Sequence, residues 1–276
     1  MTYATLMAHL ELGRSNAGLL RIVGDLTERF QAGAVGIAVY QPIQIAYGDG
    51  YVYGELIQQD RKEFDKEIKV ARAEFESALH GRAGGLEWRS TMTLGSLSGY
   101  LAQEARSADL VITSVDRAVS IFDTSRHINL SELVMEVGRP LLIVPTAVSA
   151  LKFDRVLVGW KDTRETRRAV VDALPFLKRT AHVAVVEIVA EGAEQAARAR
   201  LEDVVGWLKR HGVVAEPIVS SSAGSDVTRL NAIAEDQRAD LVVAGAYGHS
   251  RVREWMLGGV TRDLLSRAER CLLLSH

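Results

Sequence analysis

The sequence predicts two α/β domains in tandem, each a parallel sheet covered by helices on both faces. Three observations predict it. Short apolar runs alternate with amphipathic stretches along the whole chain, the pattern of strand–helix–strand units. The second half repeats the first at slowly changing offsets, as a duplicated domain would. The 276 residues are 47% hydrophobic and 25% charged, ordinary values for a globular chain of one large or two small domains.

In the first half the apolar runs are Ala4–His9, Ala34–Tyr40, Leu110–Thr113 and Leu141–Val144. They are short, bounded by turn residues and rich in β-branched or aliphatic side chains, which fits buried parallel strands. Ala17–Phe30 and Arg61–His80 carry helical periodicity between them. In the second half the runs are Val156–Trp160, Val183–Ile188, Leu241–Ala244 and Cys271–Leu274, with helical stretches at Thr163–Phe176, Ala193–His211 and Asp226–Gln237. Weaker strands fall near Leu86–Ser90 and Ala215–Val219, giving five strands to each half.

The repeat can be followed residue by residue. Glu11 aligns with Lys161 at an offset of 150, and Val35 with Val183 at 148. Ser107-Ala108-Asp109-Leu110-Val111 aligns with Arg238-Ala239-Asp240-Leu241-Val242 at 131, and Arg139-Pro140-Leu141-Leu142 with Arg270-Cys271-Leu272-Leu273 at the same 131. The first half therefore holds an insertion of 17 residues, placed at the glycine- and tyrosine-bearing stretch Gln41–Gln59. That stretch reads as a surface excursion or lid, or as a long loop packing on its own domain. A domain boundary is expected near Pro145–Leu151, giving domains of residues 1–147 and 152–276.

One segment of the second half stands apart. After the run Leu241–Ala244 come Gly245, Gly248, Gly258, Gly259 and then Thr261, ahead of a helix expected to run to about Ala268. In open α/β sheets ligands bind beyond the carboxyl ends of strands, where Gly245 falls. Glycines there allow positive φ or close approach of a ligand to the backbone. Free amides at the start of the following helix favour an anion, and Thr261 adds a hydroxyl. The segment suits a phosphate group but is not a Walker loop, since G-x-x-x-x-G-K-[ST] occurs nowhere in the chain.

The spacing G-x2-G-x9-G-G-x-T resembles the nucleotide loop of the ATP-binding universal stress proteins, G-x2-G-x9-G-[ST]. With the repeat, the chain resembles a tandem universal stress protein. The resemblance implies two Rossmann-like (adenine nucleotide alpha hydrolase-like) domains, each a five-stranded sheet of order 3-2-1-4-5. It implies pairing through the closing strands, here LLIVP and CLLLS, and allows a homodimer. It implies ATP as ligand, with magnesium or manganese following the phosphates. Carried over by position, Gly245, Gly248, Gly258, Gly259, Val260 and Thr261 would meet the phosphates, and the backbone of Ile188 the adenine; His249, with Arg251 and Arg253, could approach phosphate oxygens or simply be exposed. The family's usual acid after the first strand is Lys161 here, with Asp162 next to it, and Trp160 replaces a smaller residue beside the base, where it would stack or crowd. Gly259 stands where the family usually has a hydroxyl.

The first half lacks this apparatus. At offset 131 the counterparts of Gly245, Gly248, Gly258, Gly259 and Thr261 are Ser114, Arg117, His127, Ile128 and Leu130. The fold is expected to persist there without the ATP site; Arg117, Arg126 and His127 could form another anion site or a solvated loop.

Other features narrow the function. A net charge of −2 gives no basic surface for nucleic acid or anionic membranes. No apolar run approaches a membrane span, and the start MTYATLMAHLELGR lacks a signal-peptide pattern. With Cys271 as the single cysteine, a reducing, cytoplasmic setting is expected. The histidines show no metal-ligand spacing, and no nucleophile–base set is recognisable. The expected function is a stress-response or regulatory protein acting by nucleotide-dependent binding, with an unidentified protein partner. A slow ATPase and a nucleotide-free scaffold are the alternatives.

Overall fold

The computed structural model describes residues 2–42, 53–115, 127–221, 225–246 and 270–276. The chain forms two compact units, Tyr3–Arg139 and Pro140–His276. The division falls ahead of the expected boundary at Pro145–Leu151.

The first unit contains β1 (Thr5–His9), β2 (Gly33–Tyr40), β3 (Leu86–Met92) and β4 (Leu110–Val115) in the order β3-β2-β1-β4, all parallel. Helix α1 (Ala17–Phe30) follows β1, and its buried stripe Leu19, Ile22, Val23, Leu26 and Phe30 recurs every three to four residues, as one helical face does. Helix α2 spans Tyr53–Leu79, so residues 53–59 of the expected excursion belong to a helix. Residues 43–52 of it lie outside the described residues. Phe64 and Phe75 of α2 are fully buried, against Tyr40 of β2 and Trp88 of β3 respectively. Two short helices unmarked in the sequence pattern complete the unit: α3 (Leu97–Glu104), capped by Ser96, and α4 (Leu130–Glu136), capped by Asn129.

The second unit contains β5 (Leu141–Pro145), β6 (Arg155–Trp160), β7 (His182–Val189), β8 (Ala215–Ser221), β9 (Leu241–Gly245) and β10 (Cys271–Ser275). Its strands run β8-β7-β6-β9-β10-β5. The five strands of the second half thus have the order 3-2-1-4-5 and are parallel. β5 adds to them antiparallel, with Leu272 opposite Ile143 and Leu274 opposite Leu141. The two apolar endings LLIVP and CLLLS are therefore joined in one ladder, and every residue of both strands is buried. Helix α5 (Arg164–Leu177) packs on β9, β10 and β6, α6 (Glu194–Arg210) on β8 and β7, and α7 (Asp226–Asp236) against β7. Pro217 is tolerated in β8 because that strand ends the order and needs no N–H on its outer side. Among the described residues no helix is long and apolar enough to cross a membrane.

The repeated Ala-Asp-Leu-Val has a physical role in both units. Asp109 Oδ2 accepts from the amides of Ala4 (2.8 Å) and Thr5 (2.9 Å), tying the start of β4 to the start of β1. Asp240 Oδ2 accepts from the amides of Asp154 (2.9 Å) and Arg155 (3.4 Å), tying β9 to β6 in the same way. A carboxylate accepting backbone amides makes charge-assisted bonds, stronger than neutral ones. Replacing Asp109 by Ala removes both bonds and should lower unfolding free energy by about 2 kcal/mol, read by urea denaturation. An unchanged midpoint would contradict this role.

Candidate functional site

The sheet order fixes where a ligand would sit in the second unit. The chain leaves β6 toward β7 on one side, while β9 continues to β10 on the other, so the carboxyl ends of β6 and β9 face a crevice. Gly159 is paired with Ala244, which places Trp160 level with Gly245; Gly245 is paired with Ser275, and Trp160 with Glu187. Residues level with one another in parallel strands face the same side of the sheet. Glu187, Trp160, Gly245 and Ser275 therefore form one row at the carboxyl edge.

At Gly245 this row is pressed by α5. A Cβ there would lie 2.5 Å from Thr166 N, 2.7 Å from Glu165 C and 2.9 Å from Thr166 Cα. These are backbone atoms of the first turn of α5, so no side-chain rotation relieves the contact. The helix is brought this close by a connection of only Lys161-Asp162-Thr163. Thr163 caps it, its hydroxyl accepting from the amide of Thr166 at 3.3 Å. Glu165 in the same turn is buried and bonded to Arg164. Burial raises its pKa, but the bonds from Arg164, its own amide and Thr163 outweigh that and hold the carboxyl below the usual range.

The other members of the row differ in how well they are satisfied. Glu187 is buried and takes a two-pronged bond from Arg200 of α6, at 2.6 Å from Nη2 and 3.1 Å from Nε. Trp160 is 9% exposed, and its buried Nε1 has no hydrogen-bond partner among the described residues. Ser275 is 1% exposed, and its Oγ has none among the described residues either. Leaving such a group unpaired costs about 1–3 kcal/mol, so two in one row are a notable expense of stability. Lys161 is exposed with its ammonium 3.6 Å from Asp226 Oδ2, at the start of α7. Asp162 is exposed and its charge acts on Arg200. Ile188 is half-buried on β7, level with Ser220, whose hydroxyl accepts from Arg229 Nε at 2.8 Å.

The structure thus brings five expected site residues, Trp160, Lys161, Asp162, Ile188 and Gly245, to the carboxyl ends of β6, β7 and β9. Gly248, His249, Gly258, Gly259, Val260 and Thr261 lie outside the described residues. Ser275 was not singled out by the sequence pattern. Its one signal was a polar residue closing an apolar strand where the first half has Val144.

The corresponding place in the first unit is bridged by side chains. His9, at the end of β1, is buried, with Nδ1 3.1 Å from Thr113 Oγ1 on β4. Ser114, counterpart of Gly245, donates to Glu11 Oε1 at 3.3 Å. Glu11 is the counterpart of Lys161, so the charge at this position is reversed between the halves. Asn16 locks the connection by bonding the backbone of Glu11 and Arg14 and the carboxylate of Glu74. His127 is half-buried, whereas Arg117 and Arg126 lie outside the described residues.

Two predictions follow from these packings. Gly245→Ala should destabilise the chain by about 1–3 kcal/mol, because α5 must move as a unit; a thermal midpoint equal to that of the parent would contradict it. The His9 ring is pushed down from 6.5 to about 4, first by burial and then by the charge of His127. The unfolded chain therefore protonates first as pH falls. His9 contributes no pH dependence well above 6.5, and stability is lost between 6.5 and 4, by about 3 kcal/mol in full. An NMR titration showing the His9 ring protonating near 6.5 would contradict this.

Comparison with known proteins gives the place of this fold. Residues 152–274 match the model of the Universal stress protein family. A search of curated proteins returns no match. Among solved structures, a universal stress protein from Archaeoglobus fulgidus DSM 4304 superposes with a TM-score of 0.75 at 16% identity, covering 98% of this chain and 95% of that one. A putative universal stress protein from Pseudomonas aeruginosa UCBPP-PA14 gives a TM-score of 0.66 at 12% identity over 99% and 93% of the two chains. A functionally unknown protein from Pseudomonas aeruginosa PAO1 gives 0.65 at 12% over 99% and 92%. At these identities the likeness is one of fold. Residues 152–274 match the universal stress protein family, in a chain that has the α/β fold of the solved universal stress proteins it superposes on.

Proposed function

We infer that the second unit binds ATP and that the protein works as a nucleotide-dependent binding protein in a stress-response or regulatory role. The observation that carries this reading is the contrast between the two switch points. In the first unit, Ser114–Glu11 and His9–Thr113 fill the place with mutually satisfied side chains. In the second, Gly245 stands bare where Ser114 bonds Glu11, and Trp160 and Ser275 carry buried donors without partners among the described residues. Unsatisfied donors suit a ligand rich in acceptor oxygens and nitrogens, which a nucleotide is.

In this reading Gly245, Gly248, His249, Gly258, Gly259, Val260 and Thr261 receive the phosphates through backbone amides and the threonine hydroxyl. Trp160, Lys161, Asp162 and Ile188 border the nucleoside. Magnesium or manganese accompanies the phosphates and neutralises part of their charge. Occupancy acts on a protein partner by favouring whichever conformation binds ATP better, and only to the extent of that difference in affinity.

Titration calorimetry on the full chain tests this. One ATP should bind per chain. Gly248→Val places a β-branched side chain in the phosphate loop and should abolish micromolar binding, since several bonds to charged oxygens at about 1.5–3 kcal/mol each are lost. Arg117→Ala, in the first half, should leave affinity unchanged. Two sites per chain, or loss of binding only with Arg117→Ala, would place the site in the wrong half. No binding to the parent chain would favour a nucleotide-free scaffold.

A further inference from the structure

The indole of Trp160 is unusual in its surroundings because Glu187, Lys161, Thr163 and Glu165 are already committed. Glu187, level with it on the same side of the sheet, is held by Arg200. Lys161, the next residue, is paired with Asp226. Thr163 is engaged as the cap of α5. Glu165 is bonded to Arg164. The Trp160 Nε1–H, more than nine-tenths buried with its residue, is left with no acceptor among the described residues. Indole donates and cannot accept, so whatever completes it must be an acceptor. The residue ends β6, one of the two strands whose carboxyl ends flank the crevice where an open α/β sheet takes its ligand.

We propose that Trp160 reads the ligand through its N–H: Nε1 donates to an acceptor atom of the nucleotide, and the ring neither stacks on the base nor merely fills space. The proposal rests on the nucleotide reading above. It differs from that reading in assigning part of the affinity to one hydrogen bond made from the strand, outside the glycine loop. A protein that keeps a buried donor unsatisfied without ligand gives up stability there and regains it on binding.

The test is Trp160→Phe in the full chain, which keeps an aromatic ring and removes the donor. Without ATP its melting temperature should equal or exceed that of the parent, because an unpaired buried N–H is gone. A residue present only for packing would lower it. With ATP, calorimetry should give an affinity about tenfold weaker, the worth of one hydrogen bond. In the parent, the indole N–H resonance of Trp160, identified by its loss in the variant, should shift downfield on adding ATP. Unchanged affinity in the variant, or an unmoved resonance while ATP binds the parent, overturns the proposal and leaves the nucleotide reading standing. A parent chain that binds no ATP overturns both.

Discussion

The second unit is organised around a contact between backbones. The first turn of α5 rests on Gly245 at the end of β9, so closely that even a methyl group there would overlap Thr166 and Glu165. The three-residue link Lys161–Thr163 fixes this approach, since it gives the chain no slack between β6 and α5. Because the helix is set down there, its capped start stands at the carboxyl edge of the sheet, next to Trp160 and Ser275. A glycine at this position is demanded by packing before any ligand is considered. Its place in the loop spacing therefore serves two constraints at once, the fit of α5 and the bare backbone at the crevice.

The first unit shows what the same architecture does when that contact is relaxed. Its connection from β1 to α1 runs from Leu10 to Asn16 and includes Gly13 in the left-handed region at φ 74°. The longer link needs its own internal bonds, which Asn16 supplies. Ser114 can then carry a side chain where Gly245 cannot, and its hydroxyl closes onto Glu11. With His9 joined to Thr113, the switch point is spanned by two hydrogen bonds. The two switch points share a strand order and differ in the side chains at the strand ends, and fold alone does not fix function. One half spends them on its own stability, and the other leaves donors open.

Much of the fold was legible in the sequence. The strands at Thr5–His9, Gly33–Tyr40 and Arg155–Trp160 and the helix Ala17–Phe30 fall where apolar runs and helical periodicity placed them, within a residue. The repeat was readable because Asp109 and Asp240 perform the same task at the same offset. Less was legible where the pattern is short or the cause is distant. The helices Leu97–Glu104 and Leu130–Glu136 are too brief for periodicity to mark them. Tyr53–Gln59 read as loop because Tyr53 and Gly54 obscure the start of α2. At the site, Gly245 suggested ligand approach, while its clash with Thr166 is a contact between residues far apart in sequence. The unpaired state of Trp160 and Ser275 depends on what their neighbours already bond, which no spacing records.

The central claim is that one fold has been used twice and that only the second switch point takes a ligand. Hydrogen exchange of the full chain, followed by mass spectrometry with and without ATP, addresses this directly. Amides in residues 160–166 and 241–246 should slow on adding ATP, while those in residues 9–16 and 110–115 exchange at the same rate in both samples. Slowing confined to the first set would support the division of roles. Equal slowing in both sets, or slowing at residues 9–16 and 110–115 alone, would contradict it.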